Sequence, residues 1–354
     1  MANTHVHTPD AGDRDLVVRL VFGTMAAQTV RAAVQLRVVE LIGDKERLAA
    51  DVAADAGAEA QAMTRLLRAL AGLGLLVEHT PDSFSATPTG NLLDSRRPDS
   101  LTSLVRVFTE PAIARAWEHL DGSVRTGDVA FDAVFGTDFF SHLAQNPELS
   151  AEFNAAMSQA AGATAAALPF AYDFGRFTAV TDVGGGDGTV LAGVLDAHPG
   201  LTGVLYDTAE GLAQAGQALK RQGVRERCSL VAGDFFRSVP EGSDLYMMKS
   251  VLHDWSDDQA VTILSHCRAV LPDGGRVLIV EPVLPEVVDT GTDAHAADDG
   301  ITYLSDLNMM VNLGGRERTR KDFEEVCRRA GLSVTSVTAL TEAAPFSLIE
   351  AVAS

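Results

Sequence analysis

The chain has 354 residues, which is enough for a sizeable core and favours two domains over one. Its composition, 46% hydrophobic and 21% charged, is that of a globular protein. The formal net charge of −20 opposes binding to DNA, RNA or anionic lipid, so we expect neither a nucleic-acid nor a membrane partner.

The cysteines and the N-terminus indicate the compartment. Cys228, Cys267 and Cys327 are odd in number and widely spaced, unlike the cysteines of a disulfide framework or a metal knuckle. Residues 1–10 lack a basic-then-apolar signal pattern, and no uninterrupted apolar run approaches the length of a membrane span. The sequence therefore predicts a cytoplasmic protein.

The first part of the chain predicts a small helical domain. We expect residues 1–12 to be disordered and residues 13–97 to form the domain. Residues 13–43 predict helix, and Gly43 closes that segment. A short helix is expected over residues 48–56.

A second helix and a hairpin complete this domain. The helix has an apolar stripe at helical spacing, formed by Met63, Leu66, Leu67, Leu70 and Leu73. Two short strands, residues 75–77 and 84–86, flank a turn at residues 81–83. The order of helix, helix and hairpin is typical of a winged helix.

A winged helix most often binds DNA through its second helix. Here that helix carries only Arg65 and Arg68 as basic residues, in a strongly acidic protein. We therefore expect the fold to support dimerisation or to cover an active site.

Residues 98–168 predict a mostly helical connector that contributes to a substrate pocket. Its large apolar residues are mainly expected in the core, while some could line a pocket for a flat ligand: Phe108, Trp117, Phe131, Phe135, Phe139, Phe140, Phe153 and Met157.

Strands and helices alternate in the last region, residues 169–354, which predicts an α/β domain with a doubly wound, mainly parallel sheet. Seven segments have the strand pattern: 179–183, 203–206, 229–232, 244–248, 276–280, 333–340 and 346–351. Residues 285–300 are rich in Pro, Asp and Ala and are expected to form a mobile loop.

A glycine-rich segment follows the first of these strands, Asp182-Val-Gly-Gly-Gly-Asp-Gly-Thr-Val-Leu191. Apolar residues on both sides predict a buried strand, a glycine turn and the start of a helix. Gly184, Gly186 and Gly188 let the backbone bend sharply and approach a ligand closely. The segment therefore predicts a loop for a nucleotide-like ligand.

The spacing in this loop bears on the identity of the ligand. A dinucleotide site requires G-x-G-x-x-G, whereas Thr189 stands where the third glycine would fall. Asp187, inside the loop, would repel a pyrophosphate and suits a ligand with cationic or hydroxyl-bearing parts. S-adenosylmethionine carries an ammonium, a sulfonium and a ribose, so we expect it in preference to a nicotinamide dinucleotide.

Further polar residues follow the other strands, where open parallel sheets collect their ligands. Asp207, after the second strand, could accept hydrogen bonds from both ribose hydroxyls. Asp234 and Phe235, after the third, could meet the amino group and the ring of adenine. The fourth and fifth strands are followed by Lys249, His253, Asp254, Trp255 and Glu281. Each residue alone could be solvated or could cap a helix, but their placement on one edge favours a site.

His253 is the candidate general base. The ordinary pKa of histidine, about 6.5, suits proton transfer near neutrality. Glu281 could hydrogen-bond one ring nitrogen, fix the tautomer and stabilise the imidazolium. The alternative is a histidine that begins a helix and has no chemical role.

Four blocks of this sequence resemble the S-adenosylmethionine-dependent O-methyltransferases of the plant caffeate/flavonoid type and their bacterial relatives in antibiotic biosynthesis. The blocks are Asp182–Gly188, Gly233–Phe236, Lys249–Asp257 and Gly314–Thr319, and the resemblance runs over nearly the whole chain. It implies a Rossmann-like catalytic domain, an N-terminal winged-helix dimerisation domain and a homodimer. It also implies S-adenosylmethionine as the methyl donor, S-adenosylhomocysteine as the product, and no metal.

The resemblance also implies roles for individual residues. The general base is His253, flanked by Glu281 and Glu317. The cofactor residues are Asp182, Gly184, Gly186, Asp187, Asp207, Gly233, Asp234, Phe235, Lys249, Ser250 and Trp255. The substrate residues are Phe153, Asn154, Met157, Asp254, Asn308, Met309 and Asn312. Plant enzymes often have histidine where this chain has Ala160, which opposes a phenylpropanoid substrate.

These assignments predict methyl transfer to a hydroxyl, in particular a phenolic one, of a small aromatic natural-product intermediate. Three alternatives remain open. One is a homologue that binds S-adenosylmethionine but hydroxylates or decarboxylates, which the retention of His253 with both glutamates opposes. A ligand-responsive winged-helix regulator is opposed by the charge of −20, and a nicotinamide oxidoreductase by Thr189.

Overall fold

The computed structural model describes residues 11–288 and 296–354, which belong to two compact units, Met1–Glu110 and Pro111–Ser354. Residues 1–10 of the expected disordered start and residues 289–295 of the expected loop lie outside the described residues. Helices begin at Ala11 and at Ala296, so residues 11–12 and 296–300 are helical, in contrast to both expectations.

The first unit is built from six helices and three short strands within its described part. The helices are α1 (Ala11–Val21), α2 (Gly23–Gln35), α3 (Val38–Ile42), α4 (Ala49–Ala56), α5 (Ala60–Gly72) and α6 (Thr102–Phe108). The strands are β1 (Arg47–Leu48), β2 (Leu76–Thr80) and β3 (Ser83–Ala86), paired antiparallel in the order β1-β3-β2. The predicted order of helix, helix and hairpin is confirmed.

Two details of this unit differ from the sequence pattern. The predicted helix over residues 13–43 is interrupted at Phe22 and again before α3, where Arg37 has a φ of +54°. On α5, Met63, Leu67 and Leu70 are buried, whereas Leu73 is 46% exposed because it follows the end of the helix.

The second unit begins with α-helices and continues as an α/β domain. Its helices are α7 (Pro111–Trp117), α8 (Leu120–Thr126), α9 (Ala130–Phe135), α10 (Phe139–Gln145), α11 (Pro147–Ala171), α12 (Thr189–Ala197), α13 (Ala215–Arg221), α14 (Asp257–Val270), α15 (Ala296–Asn312) and α16 (Arg320–Arg329). Its strands are β4 (Ala179–Val183), β5 (Thr202–Asp207), β6 (Cys228–Ala232), β7 (Leu245–Lys249), β8 (Arg276–Leu284), β9 (Arg318–Thr319), β10 (Leu332–Ala339) and β11 (Phe346–Ala353).

The sheet of this unit has the order β10-β11-β8-β7-β4-β5-β6, and β9 pairs with the end of β8. Strands β4 to β8 are mutually parallel, while β11 runs antiparallel between β8 and β10. All seven predicted strands are present. The chain order reverses at β4, which lies between β5 and β7, so a crevice opens beyond the carboxyl ends of these strands.

Each face of the sheet carries its own apolar core because successive side chains of a strand point to opposite faces. Val180, Leu205 and Met247 belong to one buried cluster. Val183 and Met248 belong to the other. Strands buried on both faces show continuous apolar runs, which explains why the strand pattern was clear in the sequence.

A close helix pair covers the first of these faces. Pro169 lies inside α11 and has no N–H to donate to the carbonyl of Ala165, four residues back. Gly193 of α12 packs directly on that carbonyl, since a Cβ at Gly193 would lie 2.4 Å from Ala165 O. The contact between the helices therefore requires a glycine at residue 193.

Among the described residues, no single helix has the length and apolar character needed to cross a membrane. The adjoining helices α1 and α2, bent by 46°, meet that requirement only when taken together.

We expect Gly193→Ala to lower the free energy of unfolding by about 1–3 kcal/mol, because the added methyl overlaps a backbone carbonyl. The matched control is Gly162→Ala, also inside a helix, where no atom lies within 4 Å of the new Cβ. That change should raise stability by roughly 0.5–1 kcal/mol. Urea unfolding of both variants measures the difference, and equal stabilities would contradict the close contact.

Candidate active site

The loop after β4 has a backbone that requires glycine. Gly184, Gly186 and Gly188 have φ values of +71°, +59° and +82°, in the left-handed region. At Gly185, an added Cβ would lie 2.4 Å from Leu205 Cδ1 and 2.5 Å from Asp182 Oδ2. The loop therefore exposes backbone, rather than side chains, at the edge of the sheet.

Two carboxylates hold this loop in place. Asp207, at the end of β5, accepts a hydrogen bond from Gly186 N at 2.8 Å. Asp187 accepts hydrogen bonds from Thr189 N at 3.0 Å, from Thr189 Oγ1 at 2.7 Å and from Ser158 Oγ at 2.7 Å. Asp187 thus ties the start of α12 to α11, a role that sequence reasoning did not foresee.

A buried acid and a buried base lie at the ends of β4 and β7. Burial and the neighbouring Asp207 raise the pKa of Asp182 to about 7, while Lys249 acts in the opposite direction. Asp182 Oδ2 is buried and has no hydrogen-bond partner among the described residues. Burial lowers the pKa of Lys249, whose Nζ lies 4.5 Å from the centre of the Phe346 ring. The next residue, Ser250, has a φ of +52°.

An aromatic surface follows β6 and β7. Trp255 contacts Phe236 edge-on, with ring centroids 4.7 Å apart, and lies 6.0 Å from Phe235. Phe140 of α10 stacks on the same Trp255 at 5.4 Å. Asp234 is half-exposed and accepts a hydrogen bond from Phe236 N at 2.8 Å.

The turn before Asp234 is also close-packed. A Cβ at Gly233 would lie 2.4 Å from the ring of Tyr206, so only glycine fits between β5 and the turn.

His253 lies in a 3₁₀ turn after β7, and three carboxylates surround its ring. Its Nδ1 is 3.0 Å from Glu317 Oε1 and 3.8 Å from Glu281 Oε2, and its Nε2 is 3.4 Å from Asp254 Oδ1. The side chain is 15% exposed, whereas those of Glu281 and Glu317 are at most 1% exposed. The two glutamates therefore lie behind the ring, at Nδ1.

The carboxylates around His253 account for its raised pKa. Burial lowers the pKa of His253, but the carboxylates of Glu281, Asp254 and Glu317 outweigh it and raise the pKa to about 10. Burial raises the pKa of Asp254 to about 7, against the opposing effect of His253. The ring therefore holds a proton firmly and forms a stable imidazolium.

Hydrogen bonds from the chain orient both glutamates. Glu281 Oε1 accepts from the amides of Val251 and Leu252, at 2.9 and 2.8 Å. Glu317 Oε1 accepts from Ser305 Oγ of α15 at 3.0 Å. Ligand atoms of His253, Glu281 and Glu317 lie within 4.8 Å of one another, a spacing that a metal ion could also use. The bonds already formed by Nδ1 and both Oε1 atoms instead favour an imidazolium held between carboxylates.

The predicted substrate residues other than Asp254 lie on α11 and α15, whereas Asp254 follows His253 in the 3₁₀ turn. Phe153 packs edge-on against Phe139 of α10 at 5.4 Å, and Asn154 donates to Glu210 O at 3.3 Å. Met157 is half-buried one residue before Ser158, the partner of Asp187. Helix α11 thus links Phe153, Asn154 and Met157 to the glycine loop after β4.

On α15, Asn308 Oδ1 accepts hydrogen bonds from Trp117 Nε1 and Asn312 Nδ2, both at 2.9 Å. Met309 and Asn312 are buried. Ser305, one turn earlier, donates a hydrogen bond to Glu317, so the helix also supports this glutamate beside His253. Sequence reasoning named Trp117 only as a core or pocket residue and missed Ser305, because each meets its partner only across the fold.

We expect Glu317→Gln to lower the pKa of His253, because it removes one of the charges that stabilise the imidazolium. Selective ¹⁵N labelling of histidine and an NMR titration would measure the shift, with His253→Asn assigning the signal. Glu286→Gln, an exposed change in the same unit, is the control and should leave the pKa in place. An unchanged pKa in Glu317→Gln would contradict the electrostatic account.

Two family models match this chain. That of the O-methyltransferase domain matches residues 117–333, and that of the O-methyltransferase dimerisation domain matches residues 18–96. The chain is 44% identical over 351 residues to the O-demethylpuromycin-O-methyltransferase of Streptomyces alboniger, covering 98% of this chain and 90% of that protein.

Solved structures resemble the fold. The crystal structure of LaPhzM has a TM-score of 0.88 and 34% identity, covering 96% of this chain and 99% of that one. NcsB1, an O-methyltransferase from neocarzinostatin biosynthesis in complex with S-adenosylmethionine and 2-hydroxy-5-methyl naphthoic acid, has a TM-score of 0.77 and 31% identity. That match covers 93% of this chain and 96% of NcsB1.

Proposed function

Because the chain belongs to the S-adenosylmethionine-dependent O-methyltransferases, we propose that it methylates a phenolic hydroxyl of an aromatic natural-product intermediate, with His253 as general base. The observation that carries the proposal is the imidazole of His253, held between buried carboxylates at the crevice where the order of the strands reverses.

The loop after β4 fits S-adenosylmethionine. A side chain at Gly185 would collide with Leu205 and Asp182, so glycine keeps the loop close to the strand ends, and the buried, unpartnered Oδ2 of Asp182 suits a cationic group. We assign Asp207 to the ribose, Asp234 with the rings of Phe235 and Trp255 to adenine, and the remaining predicted cofactor residues to the same ligand. When bound, the ligand supplies an activated methyl group on a sulfonium.

The chain's own residues would prepare the acceptor. A phenol has an ordinary pKa of about 10. The neighbouring carboxylates raise the pKa of His253 toward that of a phenol, which makes the neutral ring a stronger acceptor of the phenolic proton. The same shift keeps most of the ring protonated at pH 7, so the rate should rise with pH until the ring has lost its proton. No metal ion takes part in this mechanism.

The acceptor would lie between α11 and α15, both in the second unit. Phe153, Asn154 and Met157 would form one wall, and Asn308, Met309 and Asn312 another. Asp254, beside Nε2 of His253, would face the acceptor hydroxyl. We retain the predicted boundaries at residues 97 and 168 as part of the proposal, with the aromatic helices α9 to α11 of the second unit supplying pocket residues.

We expect His253→Ala to lower kcat about 10²- to 10⁴-fold, the usual contribution of a general base, and to change S-adenosylmethionine affinity by less than about threefold. Methyl-labelled S-adenosylmethionine with O-demethylpuromycin and a panel of phenols, followed by mass spectrometry, measures the transfer. Calorimetry measures the affinity, and the exposed His119→Ala is the control.

Two outcomes would contradict the proposal. Undiminished methyl transfer by His253→Ala would show that His253 is not the general base. A product that gains oxygen or loses carbon dioxide, and carries no label, would favour the non-methylating homologue.

We also propose a homodimer formed through the first unit. Helix α1 has no buried residue, and the exposed apolar side chains of α1 and the start of α2 are Leu16, Val17, Val18, Leu20, Val21, Phe22 and Met25. An apolar surface of this kind marks an association site. The dimerisation-domain match covers most of these residues, which favours a second copy of the chain.

We expect the double variant Leu20→Glu, Val21→Glu to convert the dimer to a monomer in sedimentation velocity, because it places charge in the apolar surface. Leu73→Glu, at another exposed apolar position of the unit, should remain dimeric. A monomeric unsubstituted protein, or its co-sedimentation with anionic vesicles, would contradict the homodimer.

The remaining proposals concern partners and compartment. Arg68, the central basic residue of the winged-helix surface, already pairs with Glu78 and Asp82 at 3.2 and 3.1 Å, which opposes nucleic-acid binding. The three cysteines are free and buried, as suits a protein of the reducing cytoplasm.

A further inference from the structure

Arg318 is a buried basic residue to which the proposed mechanism assigns no role. It lies on β9, directly after Glu317, and its side chain is 0% exposed. Burying a guanidinium costs free energy unless its N–H groups are hydrogen-bonded. The hydrogen-bond partners of Arg318 therefore indicate which part of the structure it supports.

The partners are one carboxylate and two backbone carbonyls. Nη1 donates to Leu252 O at 2.6 Å, and Nη2 donates to Trp255 O at 2.8 Å. Nε and Nη2 donate to Asp257 Oδ1 at 3.1 and 2.9 Å. Asp257 therefore balances the charge, while the two carbonyls use the planar geometry of the guanidinium.

The two carbonyls bracket the catalytic turn. Leu252 and Trp255 stand on either side of His253 and Asp254, so one guanidinium spans the turn that carries both. At the start of the turn, Glu281 accepts hydrogen bonds from the amides of Val251 and Leu252. Glu281 thus binds the amides of the turn, and Arg318 binds its carbonyls.

The turn also has little room to shift. A Cβ at Gly315 would lie 2.0 Å from His253 O, so the segment leading to β9 packs directly on the turn. Adjacent residues of that segment then act on the same histidine from two sides. Glu317 meets Nδ1 of the ring, and Arg318 holds the backbone on either side of it.

We propose that Arg318 is a positioning residue that fixes the His253–Asp254 turn against Glu317 and so sets the alignment of the general base. It acts through the backbone and touches neither reactant. This inference rests on the proposed function, because it assumes that His253 is the base.

The test is Arg318→Lys in the full-length protein. Lysine keeps the positive charge but presents a single ammonium, which cannot bridge both carbonyls and Asp257 in one plane. We expect kcat to fall by about 10²-fold, the cost of a displacement of roughly 1 Å at a reacting group. The affinity for S-adenosylmethionine, measured by calorimetry, should change by less than about threefold.

A second readout separates alignment from general support of the fold. Glu317, Glu281 and Asp254 are the charged groups around the ring, Lys249 acts on Asp254, and none of these is altered by the substitution. If the turn moves away from Glu317, the pKa of His253 falls, and the rising limb of the pH–rate profile shifts to lower pH. The ¹⁵N titration of His253 measures the same shift without an acceptor.

Arg316→Ala is the matched control. Arg316 lies in the same segment and also bonds to Asp257, at 3.2 and 2.9 Å, but it does not contact the carbonyls of the turn. It should keep kcat within about threefold and leave the titration of His253 unchanged.

Each other outcome overturns the proposal. If Arg318→Lys keeps the kcat and the pH profile of the unsubstituted protein, the turn does not depend on the guanidinium. Loss of kcat in proportion to loss of S-adenosylmethionine affinity or of the near-ultraviolet dichroism signal would show a purely structural role. Failure of the proposed function is distinguishable, because His253→Ala would then remain active whatever Arg318→Lys does.

Discussion

The second unit depends on placing one imidazole among three carboxylates at a site with little water. Glu281 and Glu317 are almost completely buried, and Asp254 and His253 are less than one-fifth exposed. Charges of one sign repel strongly where the dielectric is low, so they remain together only with a compensating proton and directed hydrogen bonds. The amides of Val251 and Leu252 and the hydroxyl of Ser305 supply those bonds. The raised pKa of His253 follows from this arrangement.

The sheet makes the arrangement possible. In a parallel sheet, the loops that follow the strands lie at the same edge. The reversal of chain order at β4 leaves a crevice at that edge. The glycine loop, Asp207 and the turn of His253 therefore meet although they are far apart in the chain. Helix α11 joins this edge through the hydrogen bond from Ser158 to Asp187, so one helix supports both the loop and the wall that carries Phe153.

The accuracy of the sequence predictions follows the physical origin of each signal. Strands β4, β7 and β8 were found because burial on both faces leaves an unbroken apolar run. The glycines of the loop were found because a positive φ nearly excludes other residues. The breaks at Phe22 and Arg37 in the helix expected over residues 13–43 were not predicted, because neither residue is a helix breaker by propensity. Ser158, Ser305 and the role of Arg318 were missed because each depends on a partner distant in sequence.

The sequence by itself determined the alternation of strands and helices, the strand-edge positions of the polar residues and the glycine cradle. Those properties follow from local periodicity and from the conformational freedom of single residues. Only the tertiary structure decided which carboxylates meet His253, at which ring nitrogen and at what distance. It also decided that Asp187 ties two helices together and that Arg318 binds the backbone carbonyls on either side of His253 and Asp254. Hydrogen-bond geometry and electrostatics act through space over a few ångströms, and separation along the chain does not encode that distance.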